Sequence, residues 1–245
     1  MSAPFPDPAP DRGWQLSQAQ DQGRRKRQED ACGHALRGDW QLLVLADGVG
    51  GLPDGDRAAR TAVEASLHAF ADTPEPQGWA QDGYFRAWVE QQLYPEVLAR
   101  YQSYRLHPMA CTTLIIACIH RGSGVCQAAY AGDSILLHAG REGAPHFQHA
   151  RHQNRFGEIT RVVARDGPAQ TEPPFDYWRG TIQPGESLLL ASDGLDVLLE
   201  RPEDLQRLLR SPDSGGAQNL VSAVLAGHNP FQDNVTVLVL WRLPA

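Results

Sequence analysis

The chain has 245 residues, 29 acidic against 22 basic side chains, and a formal net charge of −7. That length suits one large domain or two small ones, and 42% apolar content supports a sizeable core. The acidic balance argues against a nucleic-acid-binding surface, and no apolar stretch approaches the length of a membrane span.

In chain order, the Pro-rich start lacks the basic and apolar regions of a signal peptide. Residues 1–13 read as a flexible leader and 14–245 as a single domain without a dividing linker or internal repeat. Residues 36–46 read as a strand entering the turn Asp47-Gly48-Val49-Gly50-Gly51. Residues 54–71 read as a helix capped by Asp56, with Ala58, Ala59, Ala62, Val63 and Leu67 on its packing face. Residues 83–104 read as a second long helix. Apolar segments 112–119, 124–131 and 134–139, separated by Gly122-Ser123-Gly124 and Gly132-Asp133, read as an antiparallel meander. Residues 150–178 are polar and are expected to cross the surface. Residues 180–183 and 187–192, joined through Pro184-Gly185, read as a hairpin. Residues 194–210 and 216–226 read as helices, and 235–241 as a closing core strand. Strands, two helices, strands, two helices and a strand do not alternate as a parallel doubly wound sheet would. They predict antiparallel sheets with helices packed outside.

The acids fall at telling places. Leu42–Ala46 runs into Asp47, Leu188–Ala191 runs toward Asp193, and Asp233-Asn234 opens the strand from Val235. Glu29-Asp30 follows the basic run Arg24, Arg25, Lys26 and Arg27. Carboxylates at the ends of core strands are costly to bury without positive charge beside them. Taken singly, Asp-Gly is an ordinary turn, Asp193 a helix cap, Asp233-Asn234 a turn before a strand, and Glu29-Asp30 a solvated pair. Taken together, hard oxygen ligands around divalent ions explain them more economically and point to metal-assisted hydrolysis. The glycines after Asp47 let backbone approach an ion, and the Gly48 carbonyl is itself a candidate ligand. The four cysteines, Cys32, Cys111, Cys118 and Cys126, show no CxxC spacing and read as reduced core residues of a cytoplasmic protein. His146, His149 and His152 recur every third residue. A zinc site there is conceivable, but without a fourth ligand in sequence they read as solvated histidines of the flap. There is neither a Gly-Lys-Ser/Thr phosphate loop nor a G-x-S-x-G nucleophile turn.

The ordered set Gly23–Ala31, Leu45–Gly51, Thr112-Thr113-Leu114, Ala131-Gly132-Asp133-Ser134, Leu190–Leu195 and Asp233–Thr236 resembles the metal-dependent protein phosphatases of type 2C. The resemblance covers residues 18–240. It implies an α+β fold, a four-layer α-β-β-α sandwich in which helix pairs flank two antiparallel β-sheets. It also implies two Mg²⁺ or Mn²⁺ ions in the cleft between the sheets. Asp47 would bridge them, with Asp193 and Asp233 on one ion and Glu29 and the Gly48 carbonyl on the other. Asp30 would orient a metal-bound water, Arg25 would bind phosphate, and Asp133 would hold a third, weaker ion. The implied activity is hydrolysis of phosphoserine and phosphothreonine by direct attack of a metal-bridging water. The phosphoprotein substrate would be a bacterial Ser/Thr kinase or its targets, and the protein a monomer with no nucleic-acid or membrane partner. A catalytically silent binding protein on the same fold and a small-molecule phosphoesterase are the alternatives.

This chain departs from the family pattern in three places. Val49 stands where animal members carry His, and Ile135 stands where Arg is frequent, which is expected to loosen ion pairing beside Asp133. Arg151-His152-Gln153-Asn154 replaces an Asp-His-Ser stretch, in a short flap around 150–180.

Overall fold

The computed structural model describes residues 13–73, 79, 83–166, 173–210, 212–214 and 216–244. The expected leader lies outside them, apart from Gly13. Twelve strands are present among the described residues: β1 (Trp14–Asp21), β2 (Asp30–Arg37), β3 (Trp40–Asp47), β4 (Cys111–Thr112), β5 (Leu114–His120), β6 (Val125–Ala131), β7 (Ile135–Ala139), β8 (Pro145–Gln148), β9 (Val163–Ala164), β10 (Asp176–Thr181), β11 (Ser187–Ala191) and β12 (Val235–Arg242). The helices are α1 (Gly55–Asp72), α2 (Tyr84–Trp88), α3 (Tyr94–Ser103), α4 (Asp196–Leu199), α5 (Pro202–Leu209) and α6 (Gly216–Leu225).

One sheet runs β1-β12-β11-β7-β8 and the other β10-β6-β5-β3-β2, with β4 and β9 as a separate pair. Every pairing between these strands is antiparallel. Three apolar clusters make the layers. One lies between α1–α3 and the β3 side, with Leu42, Val44 and Ala46 facing the helices. A second joins α4–α6 to β7, β11 and β12, and a third fills the space between the sheets with Leu43, Leu45, Leu188, Leu190, Leu238 and Leu240. This is the expected four-layer α-β-β-α sandwich. Strands covered on both faces bury nearly every position, so β3, β5 and β11 read as largely apolar runs although they are antiparallel. Each fully buried leucine there contributes about 1.5–3 kcal/mol by leaving water.

Several boundaries differ from expectation. Residues 36–46 are not one strand, because Gly38-Asp39 turns between β2 and β3. The meander breaks at Gly132-Asp133: β5 and β6 pair, but β7 crosses to the other sheet. The hairpin through Pro184-Gly185 is likewise a crossing, since β10 pairs β6 whereas β11 pairs β7 and β12. Asp56 does not cap α1; it pairs with Arg60 at 2.6 Å, and Asp54 precedes the helix in a left-handed conformation. The second long helix carries a π turn at Val89–Leu93, where the Tyr94 amide reaches back to the Val89 carbonyl. Pro95 follows directly and has no N–H to give to a regular turn. Pro202 splits the 194–210 segment into α4 and α5. All four cysteines are free thiols, and burial holds each above its ordinary pKa.

Candidate active site

Strand parity aims the acids. Leu43 and Leu45 face the inter-sheet core, so Asp47, two residues beyond Leu45, faces it as well. The same count carries Ser192 past Leu188 and Leu190, and Thr236 before Leu238 and Leu240, to that side. Asp30 is the cross-strand partner of Asp47 and shares its face. At this end of the sandwich the apolar core gives way to a polar belt. Ser192 Oγ donates to Asp30 Oδ2 at 2.8 Å and accepts from the Thr236 amide at 2.9 Å. Thr113 Oγ1 accepts from the Asp47 amide at 2.9 Å and bonds Ser134 Oγ at 2.7 Å.

Above the belt lies a cleft of about 260 Å³, lined among others by Arg25, Glu29, Asp47, Gly48, Asp133, Asp193 and Asp233. Seven of the eight residues singled out from the sequence line it. Asp30, the eighth, sits beneath them and is only 6% exposed. Of the basic run, Arg25 alone reaches the cleft, where its guanidinium hydrogen-bonds Asp233. Gly48 is required by close approach: a Cβ there would stand 2.3 Å from the Gly55 carbonyl oxygen and 2.8 Å from that of Glu29.

Asn234 and Gln153 act in the site without a role expected from the sequence. Asn234 Oδ1 accepts from the Glu29 amide at 2.8 Å, while its Nδ2 donates to the carbonyls of Gln22 at 2.8 Å and Arg27 at 3.1 Å. It thereby clamps both ends of the loop that carries Arg25. Its place directly after Asp233 was the available signal. Gln153 Nε2 donates to Asp133 Oδ2 at 2.7 Å from the flap, and Gly157 and Ile159 of the flap also line the cleft. No short-range pattern links Gln153 to Asp133.

One expectation about the flap needs correction. His149 and His152 are buried rather than solvated, and only His146 of the three is exposed. Their Nδ1 atoms accept from the Leu136 and Gly132 amides at 3.0 and 3.1 Å, splicing the flap to the start of β7. Burial pushes the His149 imidazole down to about 4. Ile135 is buried in the helix-side core and brings no charge beside Asp133. Arg151 supplies the positive charge instead, forking onto Asp196 with one arm at 2.7 Å and lowering the cost of ionising Asp133.

The electrostatics fit a site for divalent cations. Desolvation, then the neighbouring Asp30, Asp193 and Asp133, hold the Asp47 carboxyl well above its usual range. Burial, followed by Asp133 and Asp233, pushes Asp193 up to about 7. Burial also raises Asp30 and Asp133. Asp30 Oδ1 is buried without a hydrogen-bond partner. Five carboxylates line the cleft with Arg25 as the one cation among its described lining residues. An all-oxygen, electron-rich donor set of this kind suits Mg²⁺ or Mn²⁺.

A four-layer α-β-β-α sandwich with carboxylates gathered at one end of its inter-sheet core defines a class of metal-dependent phosphate-ester hydrolases. A family model described as Protein phosphatase 2C matches residues 19–225. The chain belongs to the protein phosphatase 2C family and is a protein serine/threonine phosphatase. It is 28% identical to the serine/threonine phosphatase stp of Listeria monocytogenes, over 91% of this chain and 93% of that one. Its fold matches the S. agalactiae serine/threonine phosphatase with a TM-score of 0.74 at 21% identity, covering 94% of this chain and 99% of the other. It also matches the catalytic domain of the phosphatase PstP, solved with two manganese ions, with a TM-score of 0.67 at 21% identity over 94% and 99% of the two chains.

Proposed function

We propose that the cleft is the catalytic centre and that residues 14–245 form one catalytic unit. Its chemistry is release of phosphate from phosphoserine and phosphothreonine in proteins. The carrying observation is the convergence of acids from five separate strand ends, with Arg25, on one cleft. Asp47 would hold both of two Mn²⁺ or Mg²⁺ ions, Asp193 and Asp233 one of them, and Glu29 with the Gly48 carbonyl the other. Such ions, when bound, activate water and neutralise charge on the phosphoryl oxygens. Asp133, steadied by Gln153, is the candidate for a further ion.

The remaining chemistry belongs to side chains. Arg25 is half exposed at the cleft wall, and its planar fork suits two phosphoryl oxygens. When phosphate enters, the guanidinium exchanges Asp233 for the substrate and orients the phosphorus for in-line attack. Asp30 lies below Asp47 with one oxygen held by Ser192 and the other without a partner, so it can orient the attacking water or take its proton. Attack falls directly on phosphorus, and no covalent phosphoenzyme is needed.

The partners are phosphoproteins, a Ser/Thr kinase or its targets, and the chain works as a monomer in the cytoplasm. No helix among the described residues is long and apolar enough to cross a membrane. The decisive experiment is a Mn²⁺- and Mg²⁺-titrated phosphate-release assay on phosphothreonine peptides, with Asp47→Asn as control. Metal-dependent turnover lost in the variant is expected. Absence of turnover with either metal, or undiminished turnover in the variant, overturns the reading. Arg25→Ala should raise KM for the peptide at least about tenfold, and Arg25→Lys should recover only part of it, because a point charge cannot make the bidentate contact. Equal KM values in all three proteins would exclude Arg25 from phosphate binding.

A further inference from the structure

A second group of metal-ligating side chains lies outside the cleft. His138 Nε2 is 2.8 Å from Glu186 Oε2, and His146 Nδ1 is 3.7 Å from Glu186 Oε1. All three ligand atoms lie within 4.8 Å of one another. His138 and Glu186 are buried, and His146 is exposed.

The backbone is arranged to bring them together. His138 follows Leu136 on the inter-sheet face of β7, against the ring of Trp178. In the β7–β8 pairing, His138 faces Phe147 and Ala139 faces Pro145, so His146 is the extra residue of a β-bulge. In a regular strand His146 and Phe147 would point to opposite faces; a bulge re-aims the side chain. The imidazole then lies over Gly140, where a Cβ would stand 2.3 Å from its Nε2. Glu186 is fixed from behind, its Oε2 accepting from the Gln183 amide at 2.8 Å. Such outer hydrogen bonds orient metal ligands.

We propose that His138, His146 and Glu186 bind one divalent transition-metal ion of the zinc type. A tetrahedral ion with bonds near 2.0–2.1 Å separates its ligand atoms by roughly 3.3 Å, a value bracketed by the spacings above. Two imidazoles and one carboxylate suit zinc, whereas the all-oxygen cleft suits Mg²⁺ and Mn²⁺, so the two sites sort ions by ligand chemistry. Burial keeps the His138 imidazole below its ordinary pKa, and a neutral ring is the ligating form. The exposed side of His146 leaves the fourth position open to water. Asp133 precedes the start of β7 whereas His138 stands near its other end, so the site is at the far end of the strand from the cleft. Its three ligands come from β7, β8 and the turn into β11, neighbours in one sheet. The bound ion pins those strands together.

The test is zinc titration of the full chain against a chromophoric chelator in excess Mg²⁺, which fills the acidic cleft. It is repeated in an Asp47→Asn background. One zinc per chain is expected in both, with affinity at least about tenfold weaker in His146→Ala and in Gly140→Ala. His146 is exposed, so its removal leaves the fold intact, and unchanged circular dichroism verifies this. Zinc should raise the thermal midpoint of the parent protein and not that of His146→Ala. Cobalt gives an independent readout, since a four-coordinate imidazole site absorbs visible light far more strongly than a six-coordinate oxygen site. No zinc uptake in excess Mg²⁺, or a His146→Ala protein that titrates like its parent, overturns the proposal.

Discussion

Asp193 and Asp30 carry the same functional group under different constraints. With its folded-state pKa pushed up to about 7 by burial and by Asp133, Asp193 favours the folded state when protonated. That contribution is complete below the ordinary value of 3.8 and is lost as pH rises through about 7. Asp193→Asn keeps the neutral form at every pH. The metal-free variant should therefore melt above the metal-free parent at pH 8, with the gap closing toward pH 4. Its turnover should fall at least about 100-fold, a larger loss than removal of a residue that merely supports a ligand. Calorimetry of both proteins in chelator, with phosphate release in Mn²⁺, checks the pair of effects. A variant less stable than its parent at pH 8 would contradict this account of the acidic cleft. Asp30 depends on a donor instead: the Ser192 hydroxyl bonded to it lowers its pKa against the larger effect of burial. Ser192→Ala removes the 2.8 Å bond to Asp30 and leaves the Thr236 amide without its acceptor. The expected cost is about 1–3 kcal/mol of stability, and the acidic limb of the pH–rate profile should move to higher pH. An unmoved limb would mean that Asp30 does not titrate in catalysis.

At the scale of elements, the loop from Asp47 into α1 is held by backbone packed on backbone. A methyl group on Gly48 would collide with the Gly55 carbonyl at the first turn of α1, and neither side can yield as a flexible side chain would. Gly48→Ala should cost about 1–3 kcal/mol and weaken Mn²⁺ activation, as seen in thermal melts and metal titration of turnover. A Mn²⁺ titration like that of the parent would show that the loop tolerates displacement. The same loop explains what was legible in the sequence. Asp47, Asp193 and Asp233 stand where apolar runs stop, and that contrast between core and carboxylate survives any uncertainty about pairing. Pairing itself was hidden. Because β6, β7 and β11 are covered on both faces, their apolar runs carry no alternation that would say which sheet each joins. Short turns at Gly132-Asp133 and Pro184-Gly185 therefore resembled hairpins although each crosses between sheets. Strand β1, with mixed exposure along its length, gave no continuous run to find. His149 and His152 looked like surface residues because their backbone partners in Leu136 and Gly132 are brought near only by the fold.

For the whole molecule, one end of the sandwich is an unstable concentration of negative charge in a chain already at −7. Desolvation and mutual repulsion keep Asp47 and Asp193 from ionising freely, and divalent ions would reverse both effects. Ion binding to the folded state alone adds RT ln(1 + [L]/Kd) per site, about 2.7 kcal/mol at 100 times Kd. For a chain of this size 1 kcal/mol moves the midpoint by about 2–4 °C, so Mn²⁺ at that level should raise it by about 5–10 °C for each ion bound. The gain must grow with pH. Below about 7 an ion has to displace the proton on Asp193, and above it the carboxylate is already free. In chelator the midpoint should fall as pH rises from 5 to 8, and in excess Mn²⁺ the two midpoints should diverge over the same interval. Differential scanning calorimetry with and without chelator across that interval reads both trends in one protein. A manganese shift that is constant with pH would place the ions away from Asp193 and remove the cleft from the centre of the mechanism.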